Sequence, residues 1–119
     1  MYLLQNFNML KLYCMKIYYQ GGFPMNKKLQ TAAVDQLFDA ILSLENKEEC
    51  YSFFEDLCTI NELLSLSQRY EVASMLKNKK TYLEIAEKTG ASTATISRVN
   101  RSLNYGNDGY ELVFGRLNK

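Results

Sequence analysis

The sequence predicts an all-α domain, a helical bundle that carries a helix-turn-helix toward its C-terminal end. Three observations predict it. One proline and six glycines punctuate 119 residues, so long stretches are free to be helical. Leu, Ala, Glu and Lys, all strong helix formers, are abundant. Apolar residues recur three and four apart through most of the chain, the period of a helix with one buried face. At this length the chain forms a single domain with a modest core.

The first segment stands apart. Residues 1–24, MYLLQNFNMLKLYCMKIYYQGGFP, are rich in Tyr, Leu and Met. Lys11 and Lys16 interrupt any apolar core of a signal peptide, and no small-residue cleavage site follows. Gln20-Gly21-Gly22 can be encoded by codons that contain a bacterial ribosome-binding sequence, with Phe23 and Pro24 as spacer and Met25 where a start codon belongs. The expectation is that residues 1–24 are a translated leader or an irregular extension, and that 25–119 form the domain.

From Lys27 to Leu44, Leu29, Ala33, Leu37, Ile41 and Leu44 make a helical stripe, which Val34, Phe38 and Leu42 widen to a second side. One neighbour in so small a domain does not cover a stripe that wide. A helix sandwiched between its own domain and a second subunit is expected, so an intertwined homodimer; the central helix of a monomeric bundle is the alternative. Asn46 then reads as an N-cap with Glu48 and Glu49 in the first turn. The helix it opens turns Cys50, Phe53, Phe54, Leu57 and Cys58 inward. Thr59 or Asn61 caps a third helix, from about Glu62 to Lys77, which buries Leu63, Leu66, Tyr70, Ala73 and Leu76. After the polar break Asn78-Lys79-Lys80, Thr81 and Glu84 form a capping box for a short helix from Tyr82 to Thr89. Gly90 ends it as a left-handed residue. Ser92 or Thr93 caps the next helix, which runs to about Leu103. The tail YELVFGRLNK is open between a short helix and a strand-like arm.

Two short helices joined at a glycine, about residues 81–103, have the dimensions of a helix-turn-helix. Ile85 and Ala86 lie where the second helix crosses the first, Gly90 makes the turn, and Ile96 and Val99 hold the second helix to the core. With Ile96, Val99 and Leu103 inward, the period places Ala94, Ser97, Arg98 and Arg101 on the opposite face, with Thr93 at the entrance. Small residues there let a helix end sink into the major groove. The hydroxyls of Thr93, Thr95 and Ser97 suit base edges or phosphates, and Arg98 and Arg101 suit guanine or the backbone. Lys79 and Lys80, in the break just ahead, complete the candidate DNA-binding set. An ordinary helical hairpin with a solvated polar face is the bland alternative.

Charge distribution agrees with the sharper one. Net charge is only +1, yet residues 45–62 hold one Lys against six acids, or −5, and residues 77–101 hold six basic residues against two acids, or +4. The helix-turn-helix lies in the basic half, as expected where a face meets phosphate. Three cysteines without a secretory signal suggest free thiols and a cytoplasmic location. The absence of histidine excludes a Cys/His zinc site and histidine acid–base catalysis. No apolar run approaches the ~20 residues that span a bilayer. Glu45, Glu48, Glu49, Glu55 and Asp56 have no partner base or phosphate loop, so no enzyme is expected.

GASTATISRVNRSLNYG, with YSFFEDLCTINEL and LSQRYEVASML upstream, resembles the Trp repressor family, and within it the YerC/YecD branch, over roughly Lys27 to Arg116. The resemblance implies interlaced N-terminal helices from two subunits and two projecting reading heads. It also implies DNA contacts at Thr93, Ala94 and Ser97. In the repressor that names the family, tryptophan binds as corepressor among arginines, a glycine and a serine. Arg98 and Ser102 match two of those positions. The glycine is replaced by Val99, expected to fill the ligand space, and the second arginine falls on Gln68, with Arg69 one residue out of register. Tryptophan binding is therefore not carried over, and no cofactor is expected. The expected function is that of a dimeric, sequence-specific DNA-binding transcriptional repressor acting at an inverted repeat on the nucleoid. The alternatives are a helix-turn-helix module of replication-initiator or sigma-factor type and a protein-interaction module that does not bind DNA.

Overall fold

The computed structural model describes residues 26–117, and these are helical with no strand among them. The elements are α1 (Ala32–Leu42), α2 (Lys47–Leu57), α3 (Ile60–Lys77), α4 (Tyr82–Thr89), α5 (Thr93–Tyr105) and α6 (Gly109–Arg116). The expectation for residues 1–24, and for Met25 as a start, lies outside the described residues. The described residues fall into two units, divided between Gln36 and Leu37.

In the first unit the expected helix start at Lys27 is corrected. The Leu29 amide bonds the Asn26 carbonyl at 2.9 Å in a separate turn, and α1 begins at Ala32. The side chain of Thr31 then accepts from the Val34 N–H at 3.2 Å, ending the turn with the polar contact that starts the helix.

The second unit holds the core, formed by Val72, Ala73, Ile85, Ala91, Ile96, Val99 and Phe114. These come from α3, α4, the turn after it, α5 and α6. The order follows from the caps. Thr59 caps α3 and Thr81 caps α4, each with the glutamate three residues on reaching back to the cap's N–H. Asn46 caps α2 by accepting from the Glu49 N–H, and Ser92 caps α5 by accepting from the Thr95 N–H. The helix α5 runs two residues past the expected Leu103 and stops at Gly106. There a side chain would collide with the Ser102 carbonyl, to which the Gly106 N–H is bonded.

Two inward faces differ from expectation. On α3 the fully buried pair is Val72 and Ala73, while Leu66 and Tyr70 remain 46% and 40% exposed. The face toward α4 and α5 is therefore rotated from the stripe that three-and-four spacing picks out. On α2 Cys50 and Leu57 are exposed, with Phe53, Phe54 and Cys58 half-buried. Neither α1 nor α2 contains a buried residue. The undecided tail is the helix α6, and its Phe114 is among the largest buried side chains.

Candidate nucleic-acid interface

The interface is built from α4, a three-residue turn and α5. The turn needs Gly90, which sits at φ 71°, where a side chain is strained whatever space surrounds it. Its N–H closes α4 on the Ala86 carbonyl, and the next residue, Ala91, is buried beneath it. Thr89 adds a second lock. Its hydroxyl donates to the Ile85 carbonyl at 2.7 Å and accepts from the Ala91 N–H at 3.1 Å. Gln68 of α3 supplies a third, its amide donating to the Thr89 carbonyl at 3.1 Å. Spacing had not marked Thr89 or Gln68; the only signal was a threonine at a helix end, which commonly bonds its own backbone.

Ile85, Ile96 and Val99 are each no more than 2% exposed. They pin α4 and α5 to α3 from within, with Ala86 half-buried beside them. The opposite side of α5 exposes Thr93, Ala94, Arg98 and Arg101. Lys79 and Lys80 are exposed in the break before α4, where Lys79 adopts a left-handed φ of 63° that its sequence did not signal. Ser97 is half-buried. Thr95 is half-buried too, and its hydroxyl accepts from Ser92 at 3.1 Å, so it belongs to the cap of α5 more than to its outward face. The first turn of α5 carries no acidic side chain. Its free N–H groups and positive dipole end thus stand open beside small side chains, an arrangement suited to a phosphate.

A cleft of about 430 Å³ lies between α3 and α5. Arg69 and Tyr70 line it from α3, Arg98, Val99 and Ser102 from α5, and Tyr110 from α6. The expectation that Val99 fills this space is corrected: Val99 is committed to the core and the cleft persists beside it. Gln68, turned toward Thr89, is not among its lining residues, and Arg69 is the α3 cation that faces it.

Comparison with known proteins accords with this architecture. The profile of the Trp repressor protein family matches residues 32–118. The YerC protein of Bacillus subtilis is 62% identical over 90 residues, which are 76% of this chain and 86% of that one. A crystal structure of a TrpR-like protein from Eubacterium eligens superposes with a TM-score of 0.77 at 74% identity, covering 78% of this chain and 96% of the other. A second, from Staphylococcus aureus, gives 0.75 at 62% identity, covering 77% and 92%. The chain belongs to the Trp repressor family.

Proposed function

We propose that this family member is a sequence-specific DNA-binding transcriptional regulator, a repressor, that acts as a homodimer on an inverted-repeat operator. The observation that carries the reading is the exposed entrance of α5. Thr93 and Ala94 leave it low enough to enter a major groove, while Arg98 and Arg101 flank it and Lys79 and Lys80 stand before α4. Membership in a family of DNA-binding regulators supports the same reading.

In this reading the N-terminal turn of α5 meets base edges through Thr93, Ala94 and Ser97, and the cations hold the backbone on either side. The α4 helix lies across the phosphates, and the Gln68–Thr89 bond keeps its angle to α5. A second copy covers the apolar faces of α1 and α2, where Phe38 and Leu42 are 54% and 82% exposed. The dimer acts on the nucleoid, in the cytoplasm, and needs neither a metal nor tryptophan.

Selection of bound fragments from random duplex DNA, followed by titration against salt, tests this. Expected are fragments with two half-sites about 34–36 Å apart. Expected too is an affinity that falls steeply with salt, because each neutralised phosphate releases counterions. A salt-independent signal, or no selected fragment, would indicate a protein-interaction module, and a monomer in sedimentation would remove the basis for the inverted repeat.

A further inference from the structure

We infer that α6 is a strap whose docking fixes the angle of α5, so that affinity for DNA is set from the C-terminal end of the domain. The affinity half rests on the function proposed above; the docking half rests on geometry alone.

The helix α6 has eight residues, too few to persist by its own hydrogen bonds. Its start is poorly made. Asp108 adopts a left-handed φ of 59° and gives α6 no side-chain cap. What keeps it in place is a set of side-chain anchors, most of them on α3. Phe114 is 2% exposed, with its ring centroid 5.5 Å from that of Tyr70. The Lys77 ammonium lies 5.3 Å from the same ring and pairs with Glu111. Tyr110 stacks on Phe114 at 6.2 Å and also lines the cleft between α3 and α5. There it shares the walls with Arg98, Val99 and Ser102 of the recognition helix.

The strap reading sets this docked state against an undocked one, with different consequences for α5. Docked, Tyr110 props the cleft and Phe114 joins Ile96 and Val99 in the core. Undocked, the cleft loses one wall, the core loses its largest side chain, and α5 is held only from α4 and one side of α3. The Gly106–Asp108 connection, with its strained Asp108, is the place where the strap turns. A strap shifts DNA affinity only by as much as it favours the binding angle of α5 over others. That makes its anchors adjustable without substituting any residue on the DNA-facing side, although Tyr110 shares the cleft with Arg98.

The test uses the full chain with Tyr110→Ala, Tyr110→Phe and Glu111→Gln. Backbone hydrogen exchange is followed in α5 and, as reference, in α3. In Tyr110→Ala the α5 amides should exchange about tenfold faster while α3 amides stay within about twofold, and Tyr110→Phe should match the unaltered protein because the ring does the propping. Against a duplex selected by the unaltered protein, Tyr110→Ala should bind about tenfold more weakly, Glu111→Gln less severely, and Tyr110→Phe normally. Unchanged α5 exchange in Tyr110→Ala, or equal acceleration in α3 and α5, would overturn the strap. So would normal DNA affinity in Tyr110→Ala. If the unaltered protein selects no duplex, the proposed function fails, and the exchange comparison alone decides whether α6 holds α5.

Discussion

At Gly90 the backbone, and not the packing, sets what the position tolerates. A Cβ built there meets nothing within 4 Å, so the whole effect of Gly90→Ala is the left-handed φ of 71°. The expected loss is about 1–2 kcal/mol, measured by urea unfolding; a much larger loss would mean that the turn rearranges. Arg98 and Arg101 are the opposite case, because both are exposed and neither supports the core. Arg98→Ala and Arg101→Ala should leave helix content and melting temperature nearly unchanged while weakening DNA binding. A lost phosphate contact lowers the salt slope by about one, and a lost base contact relaxes sequence preference at a cost of about 1–3 kcal/mol. Arg98 also lines the cleft. If its removal alters neither slope nor preference, its role lies in the cleft and the DNA-facing side of α5 must be redrawn around Arg101.

Helix ends decide how well the elements could be foreseen. The box that opens α4 is the clearest case. Thr81 accepts from the Glu84 N–H at 3.2 Å, and the Glu84 carboxylate accepts from the Thr81 N–H at 2.8 Å and its hydroxyl at 3.2 Å. Thr81→Ala should cost about 1 kcal/mol. The Thr81 backbone hydrogen bond, then the Thr81 hydroxyl, and more weakly the charge of Lys80 hold the Glu84 pKa below the usual 4.5. A carboxyl lowered by folding stabilises the fold above its unfolded pKa, and that contribution disappears as pH falls through the folded value. The melting-temperature gap between the unaltered protein and Thr81→Ala should therefore narrow from pH 7 to about pH 3; a constant gap would mean that the Thr81 hydroxyl, as distinct from the backbone N–H that the variant keeps, plays no part in holding the glutamate's charge. Because such end signals are local, Asn46 was legible in the sequence as the cap of α2, and Thr81, Glu84 and Gly90 as the marks of the helix-turn-helix. Where no local signal exists, the sequence was silent. The helix α6 follows Asp108, which gives it no side-chain cap, and contains Gly115, so nothing in YELVFGRLNK announced it. Lys79 carries a left-handed φ with no glycine to mark it. Val72 was missed because the burial of α3 is decided by where α4 and α5 dock, while Ile60 and Leu64 continue the apolar pattern on a segment that is 78% and 61% exposed.

Among the described residues, burial is concentrated in the half that carries the helix-turn-helix. The core draws on α3 to α6, and α1 and α2 add no buried residue to it. The chain thus fixes α5 internally and leaves apolar side chains such as Phe38, Leu42 and Leu57 exposed on α1 and α2, the surface that the proposed dimer would cover. That division bears on whether a small effector is required. A ligand changes affinity only by the difference in its own affinity for the competent and incompetent states. With Ile96 fully buried, Val99 2% exposed, the turn tied to α3 through Gln68 and Thr89, and Tyr110 at the cleft, α5 already has a defined seat. The cleft does present two arginines and Ser102, so charge alone would admit an amino acid. Val99, held in the core, is one wall of that cleft and does not close it. Because α5 is already seated, saturating tryptophan should change affinity for a selected duplex by less than about 1.4 kcal/mol, a factor of ten. Paired titrations at one salt concentration, with and without tryptophan, measure it. A larger enhancement would show that Arg69 and Arg98 clamp the ligand beside Val99, and that the seat of α5 is loose enough for the ligand to tighten.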